Sequence, residues 1–149
     1  MALGLLSILS ALTLWSISVP ADALRAREEA RHQVTAALTE EDRPERATEL
    51  FRQARAFDES YAACEEGARL EARGLFSEAA RSFEACLEGD PGLAPAHVAW
   101  AEALLRAQGR PAYEEVRSRL RRFVATARQD RRADSAALNE AEELILDLD

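Results

Sequence analysis

Residues 74–91, GLFSEAARSFEACLEGDP, begin with a glycine and end on an Asp-Pro pair. Read at helical spacing, the apolar face between them runs small, large, small: Ala79, Phe83, Cys86. Two helix backbones approach closely only where the facing residues are small, and a ring beside the contact fills the remaining space. Such a face therefore calls for a partner helix. Gly74 suits the left-handed end of a preceding helix, and Ser77 and Asp90-Pro91 mark the expected start and stop of this one. The pattern returns when the chain is laid on itself. A shift of 32 residues places Phe51 on Phe83, Ala47 on Ala79, Ala54 on Cys86 and Leu38 on Leu70. A shift of 34 places Leu104 on Leu70 and Ala101 on Gly67. These echoes predict helical hairpins over 24–39 with 44–57, 60–73 with 77–88 and 94–107 with 112–128, closed by a helix over 133–147.

The middle unit, residues 60–93, resembles a tetratricopeptide repeat. The family's small then large apolar pair on the first helix is met by Gly67 and Leu70. Its turn glycine and following aromatic are met by Gly74 and Phe76. Its small, aromatic, small series is Ala79, Phe83 and Cys86, and its closing proline is Pro91. The first unit keeps Ala47, Phe51 and Ala54 but lacks the turn glycine and the proline. The third carries a longer turn, AQGRPAY, with Leu120 and Phe123 in the places of Phe83 and Cys86. The resemblance implies an all-α, right-handed solenoid of about three units (24–59, 60–93 and 94–128). The stripe Leu138, Ala141, Ile145 and Leu148 would cap the last unit. An unrelated helical bundle whose periodicity repeats by chance is the alternative.

The family's first helices line a concave groove for a partner's peptide or helix. The resemblance places Tyr61, Cys64, Ala68 and Glu71, then Pro95, Val98, Glu102 and Leu105, on that face. The branch that clamps a chaperone's C-terminal carboxylate carries Lys, Arg and Asn there. Here the corresponding places hold Cys64 with Ala68 and Val98 with Glu102, a mixed apolar and acidic face better suited to an amphipathic or basic helix.

The N-terminus reads as a separate object. Leu3–Val19 is free of charge, Pro20 follows, and Ala21–Ala23 spell A-x-A, the pattern of a secretory cleavage site. No arginine precedes the apolar run, and Arg25, Arg27 and Arg31 follow it, so a retained anchor with the domain facing the cytoplasm is the competing reading. Residues 1–23 are thus a signal peptide or a membrane anchor, a hydrophobic N-terminal helix through which the chain would associate with a membrane. Residues 24–149 form the repeat domain. All 19 basic residues are arginine, which suggests a GC-rich bacterial coding bias.

Cys64 and Cys86 fall near opposite ends of antiparallel helices and so can meet. They are a candidate disulfide in an oxidising compartment, or else two small buried hydrophobes. Neither lies in a C-x-x-C or beside a histidine cluster, and His32 and His97 stand alone. No nucleophile elbow, phosphate loop or zinc-protease motif occurs. The expectation is a protein that is not an enzyme, with no catalytic residue, metal or cofactor. A net charge of -8 argues against nucleic acid. Against that acidity stands one basic stretch: Arg117, Arg119, Arg121, Arg122, Arg128, Arg131 and Arg132. It reads as local pairing with nearby carboxylates and the acidic C-terminal helix, or as a patch for an acidic segment or anionic headgroups. The leading expectation is a non-catalytic adaptor of the bacterial cell envelope that binds a protein partner in its groove. The alternative is a membrane-tethered structural subunit assembled through its stacking faces.

Overall fold

The computed structural model describes residues 21–39, 44–130 and 134–149. Within them the chain is all helical, without a strand: seven α-helices packed as sequential pairs. They are α1 (Ala21–Thr39), α2 (Pro44–Phe57), α3 (Ala62–Ala72), α4 (Phe76–Gly89), α5 (Ala94–Gln108), α6 (Tyr113–Ala127) and α7 (Ser135–Asp147). Short 3-10 turns, Glu59–Tyr61 and Arg110–Ala112, lead into α3 and α6. No described helix is long and apolar enough to cross a membrane. The apolar stretch Leu3–Val19 lies outside the described residues, and Ala21–Ala23 form the first turn of α1.

The boundaries follow local chemistry. Gly74 ends α3 with φ of +74°, its amide bonding back to the Glu71 carbonyl at 2.8 Å and the Leu75 amide to that of Leu70 at 3.0 Å. Leu75 is the residue that precedes α4, and its side chain makes no capping bond. Ser77, expected as the start signal, falls inside the first turn instead. The tight glycine turn delivers the chain straight into the helix and leaves no extended position for a hydroxyl cap. A side chain does cap α7: Asp134 accepts from the amides of Ala136 at 2.9 Å and Ala137 at 3.3 Å.

α3 and α4 form a close hairpin, and the order of side-chain sizes explains how. A Cβ at Gly67 would sit 2.7 Å from the Phe83 ring, closer than real atoms approach. The ring is fully buried in the space that the missing side chain leaves. At the open end of the same hairpin Cys64 and Cys86 are bonded, with their Cα atoms 5.1 Å apart, inside the usual range for a disulfide. In the third hairpin Phe123 stands where Cys86 stands in the second. It stacks on the His97 ring at 4.0 Å between centroids, and α5 and α6 approach each other closely at fewer points than α3 and α4 do.

The first hairpin is joined to the rest through both of its helices: α2 packs on the Glu59–Tyr61 turn and α3, and α1 reaches α5 and the turn before it. Arg27 donates to the Gly89 carbonyl at 2.7 Å. Arg31 meets Asp90 through two nitrogens, each 3.1 Å from a carboxylate oxygen. Asp90 also accepts from the Tyr61 hydroxyl at 2.8 Å and from the Gly92 amide at 3.3 Å. One carboxylate thus ties together three segments far apart in sequence. Gly92 makes room for the arginine: a Cβ there would lie 2.5 Å from its guanidinium.

Candidate functional site

The inner face of the helix array encloses a cavity of about 730 Å³. α1 contributes Leu38, α2 contributes Phe51, α3 contributes Ala68 and Glu71, and α5 contributes Pro95, Val98 and Glu102. α7 adds Glu140 at the rim. The apolar lining mixes short side chains, Ala37, Ala47, Ala68, Ala99 and the exposed Ala72, with the larger Leu38, Phe51, Pro95 and Val98. Helical spacing explains why these residues share a face: 68, 71 and 72 recur on α3, and 95, 98, 99, 102 and 106 on α5.

The rim is charged and acidic on balance, with Glu65, Glu71, Glu102 and Glu140 against Arg69 and Arg106. Arg106 lies 3.4 Å from Glu71 and over the Phe76 ring at 5.5 Å from its centre. Glu65 meets Arg55 at 3.2 Å, and Arg69 pairs with Glu66. These are mostly surface pairs that solvent screens, so they hold the rim in place more than they stabilise the fold.

Of the residues assigned to the groove from sequence, Ala68, Glu71, Pro95, Val98 and Glu102 line the cavity. Leu105 is half-buried against the core. Two assignments need correction. Tyr61 is 1% exposed and gives its hydroxyl to Asp90, and Cys64 is 0% exposed and held in the disulfide, so neither presents a surface to a partner. The 3-10 turn before α3 rotates Tyr61 inward, and Cys64 follows on the face that meets α4. Burial holds the Tyr61 phenol far above its ordinary pKa, reinforced by the bond to Asp90.

The arginine-rich stretch is divided among different neighbours. Arg119 pairs with Glu84 at 2.8 Å and covers the Trp100 ring at 4.1 Å. Arg117 pairs with Glu114 and lies 3.0 Å from Asp149, Arg121 lies 2.7 Å from Asp149, and Arg128 lies 2.5 Å from Glu142. Arg122 is exposed on α6; Arg131 and Arg132 lie outside the described residues. A second, smaller notch of about 350 Å³ lies between α6 and α7, with Val124, Ile145 and Leu146 inside Arg121 and Arg128.

His32 is exposed on α1, whereas His97 is buried beneath α6. Its Nε2 donates to the Pro91 carbonyl at 2.8 Å, which leaves Nδ1 as the unprotonated nitrogen, buried without a protein partner. Burial pushes the imidazole below its ordinary value of 6.5, and Arg119 acts in the same direction, against the Pro91 carbonyl and Asp90. The unfolded chain therefore takes up this proton first. The stability that depends on neutral His97 is complete above pH 6.5 and is lost as the pH falls below it toward the folded-state value. Chemical unfolding of the chain and of His97→Gln, run between about pH 5 and 7.5, should show a steeper loss on acidification in the parent. Parallel pH profiles would remove this role.

Sequence reasoning did not find the Asp90 junction, the wall contributed by α1 and α2, or the placement of Arg106. Asp-Pro-Gly after a helix does signal a turn whose carboxylate bonds onward. Its partners, however, sit 59 and 29 residues earlier in the chain, beyond any local pattern. Among the described residues no group of His, Cys, Asp and Glu is placed to hold a metal ion. No protein family, curated protein or solved structure matches this chain.

Proposed function

We propose that this protein is a protein-interaction module: a solenoid of about three tetratricopeptide-like hairpins, capped by α7, that takes a partner's peptide or helix in its inner groove. The observation that carries this reading is the 730 Å³ cavity, open along the first helices of successive hairpins, with an apolar lining and a charged rim. Its size, with apolar side chains inside a ring of charged and hydroxyl groups, supports a binding site. The Gly67–Phe83 contact and the Gly74 turn support the repeat assignment, since they are the contacts that the family's size pattern implies. The Cys64–Cys86 bond supports an oxidising compartment, and hence an adaptor of the bacterial cell envelope working beyond the inner membrane.

Ala68 is half-buried on the cavity wall, so a photo-cross-linking amino acid there faces whatever the groove holds. In cells producing the full chain, Ala68 should capture a discrete protein that Ala99→Trp abolishes by filling the cavity. The exposed position Glu88 on α4 should not capture it. The same products from Glu88, or capture at Ala68 indifferent to Ala99→Trp, would overturn the groove. One observation favours a membrane-tethered structural subunit instead: Leu146 is 71% exposed beside the apolar notch of α6 and α7, as a stacking face would be. A concentration-independent assembly in mild detergent supports that alternative, and a monomer removes it.

A further inference from the structure

We infer that the occupant of the groove is a cationic amphipathic segment of another protein, with large aliphatic side chains seated on the apolar lining and flanking lysines or arginines read by Glu71 and Glu102. The inference rests on the groove reading above and adds the chemistry of its partner.

Shape comes first. Five of the lining residues are alanines from four helices, set among Leu38, Phe51, Pro95 and Val98, so the wall leaves room beside its alanines that an occupant's large side chains can fill. Large side chains on a narrow apolar stripe supply it, and an amphipathic helix presents them at i, i+3, i+4 and i+7.

The sign of charge comes next. Four glutamates and two arginines line the cavity; Glu65 faces Arg55, Glu71 faces Arg106 and Arg69 faces the neighbouring Glu66, so carboxylates still outnumber guanidinium groups around the rim. The chain as a whole carries -8, so its field draws in cations and turns away anionic segments, nucleic acid and acidic lipid surfaces.

The rim also shows how a cation is seated. Arg106 belongs to the chain itself, and its guanidinium lies between the Glu71 carboxylate and the face of Phe76. Glu102 lies one helical turn from Arg106 on the same face of α5. Arg106 thus holds the position that a partner's arginine would take and competes with it for Glu71. Removing Arg106 should therefore strengthen binding, an effect that general damage to the fold would not produce.

The test uses the full chain with its disulfide intact and two fluorescein-labelled peptides of about four helical turns. Both carry leucine at the i, i+3, i+4, i+7 spacing; one has lysine elsewhere and the other glutamate. Fluorescence anisotropy should show the lysine peptide binding and the glutamate peptide failing to bind. Glu71→Gln with Glu102→Gln should weaken the lysine peptide about tenfold, as two partly desolvated charge pairs would. Arg106→Ala should tighten it a few fold, and Ala99→Trp should abolish it. Glu78→Gln with Glu88→Gln, an equal change of charge on the exposed face of α4, should leave it unchanged.

Equal weakening by the α4 pair would mean that the peptide senses net charge alone, and it overturns the inference. So does looser binding to Arg106→Ala. If the glutamate peptide binds as well and Ala99→Trp blocks both, the groove stands and its cationic partner falls. If neither peptide responds to Ala99→Trp, the groove reading falls with it.

Discussion

Replacing Phe83 by alanine should remove about 3–5 kcal/mol of folding stability, the cost of deleting a buried aromatic ring whose cavity cannot collapse. The ring is fully buried and lies against the bare backbone at Gly67, where no side chain can move in to fill the space. The converse change acts through the same contact. Gly67→Ala gains helix propensity of about 1 kcal/mol, yet its Cβ would meet Phe83 at 2.7 Å and force the two helices apart. Overpacking of that kind costs about 1–3 kcal/mol, so the net effect should be a smaller loss than that of Phe83→Ala. Combining the two changes should cost less than their sum, because the methyl then enters space that the ring has vacated. Urea unfolding of the three variants, followed by far-ultraviolet circular dichroism, measures this directly. Additive losses would mean that Gly67 and Phe83 are not a packing pair.

Opening the Cys64–Cys86 bond should cost about 3 kcal/mol in the chain-entropy model, given the sequence separation of 22 between its ends. Both sulfurs are buried, so the reduced thiols remain packed in place and the change falls mainly on the unfolded chain. The double replacement of Cys64 and Cys86 by alanine should lose somewhat more, since it also deletes sulfur from the core. Unfolding midpoints with and without reductant should therefore separate clearly for the parent and coincide for the double variant. Coincident midpoints in the parent, with intact mass confirming the bond, would show that it adds little. The bond joins the first turn of α3 to the last of α4, so its loss should loosen the end of the hairpin where Asp90 gathers Tyr61 and Arg31. Chains made in a reducing compartment would then have a weaker junction between α1 and the α4–α5 turn.

Several features are legible in the sequence because they are local. Gly74 announced its turn, since few other residues adopt a positive φ without strain. Six of the seven helices were expected within two residues of their observed ends, because apolar spacing and Gly or Pro punctuation act over one or two turns. The start of α1 differed by three residues, because Ala21–Ala23, which spell a cleavage-site pattern after Pro20, form the first turn of the helix. The α3–α4 hairpin was visible in the order Ala79, Phe83, Cys86, because the size of each residue states how close the facing helix can come. The cysteine pairing was visible for the same reason, as one of two alternatives.

The tertiary arrangement settled what depends on rotation about a helix axis and on segments distant in the chain. Tyr61 and Ala68 lie within two turns of one another at the start of the second hairpin, yet one is sealed against Asp90 and the other faces the cavity. A 3-10 turn changes the angular step per residue, so a face extrapolated from α3 into Glu59–Tyr61 points the wrong way. The arginines of α6 looked like one patch in sequence, but successive helical positions differ by about 100°. That rotation sends Arg119 to Glu84 and Trp100, and Arg117 and Arg121 to Asp149. Charge along a chain fixes the sum of a surface, whereas packing assigns each side chain its partner. Asp90 shows the same division: its turn is written in Asp-Pro-Gly, and its role as the junction of three segments exists only once α1 has folded back across the others.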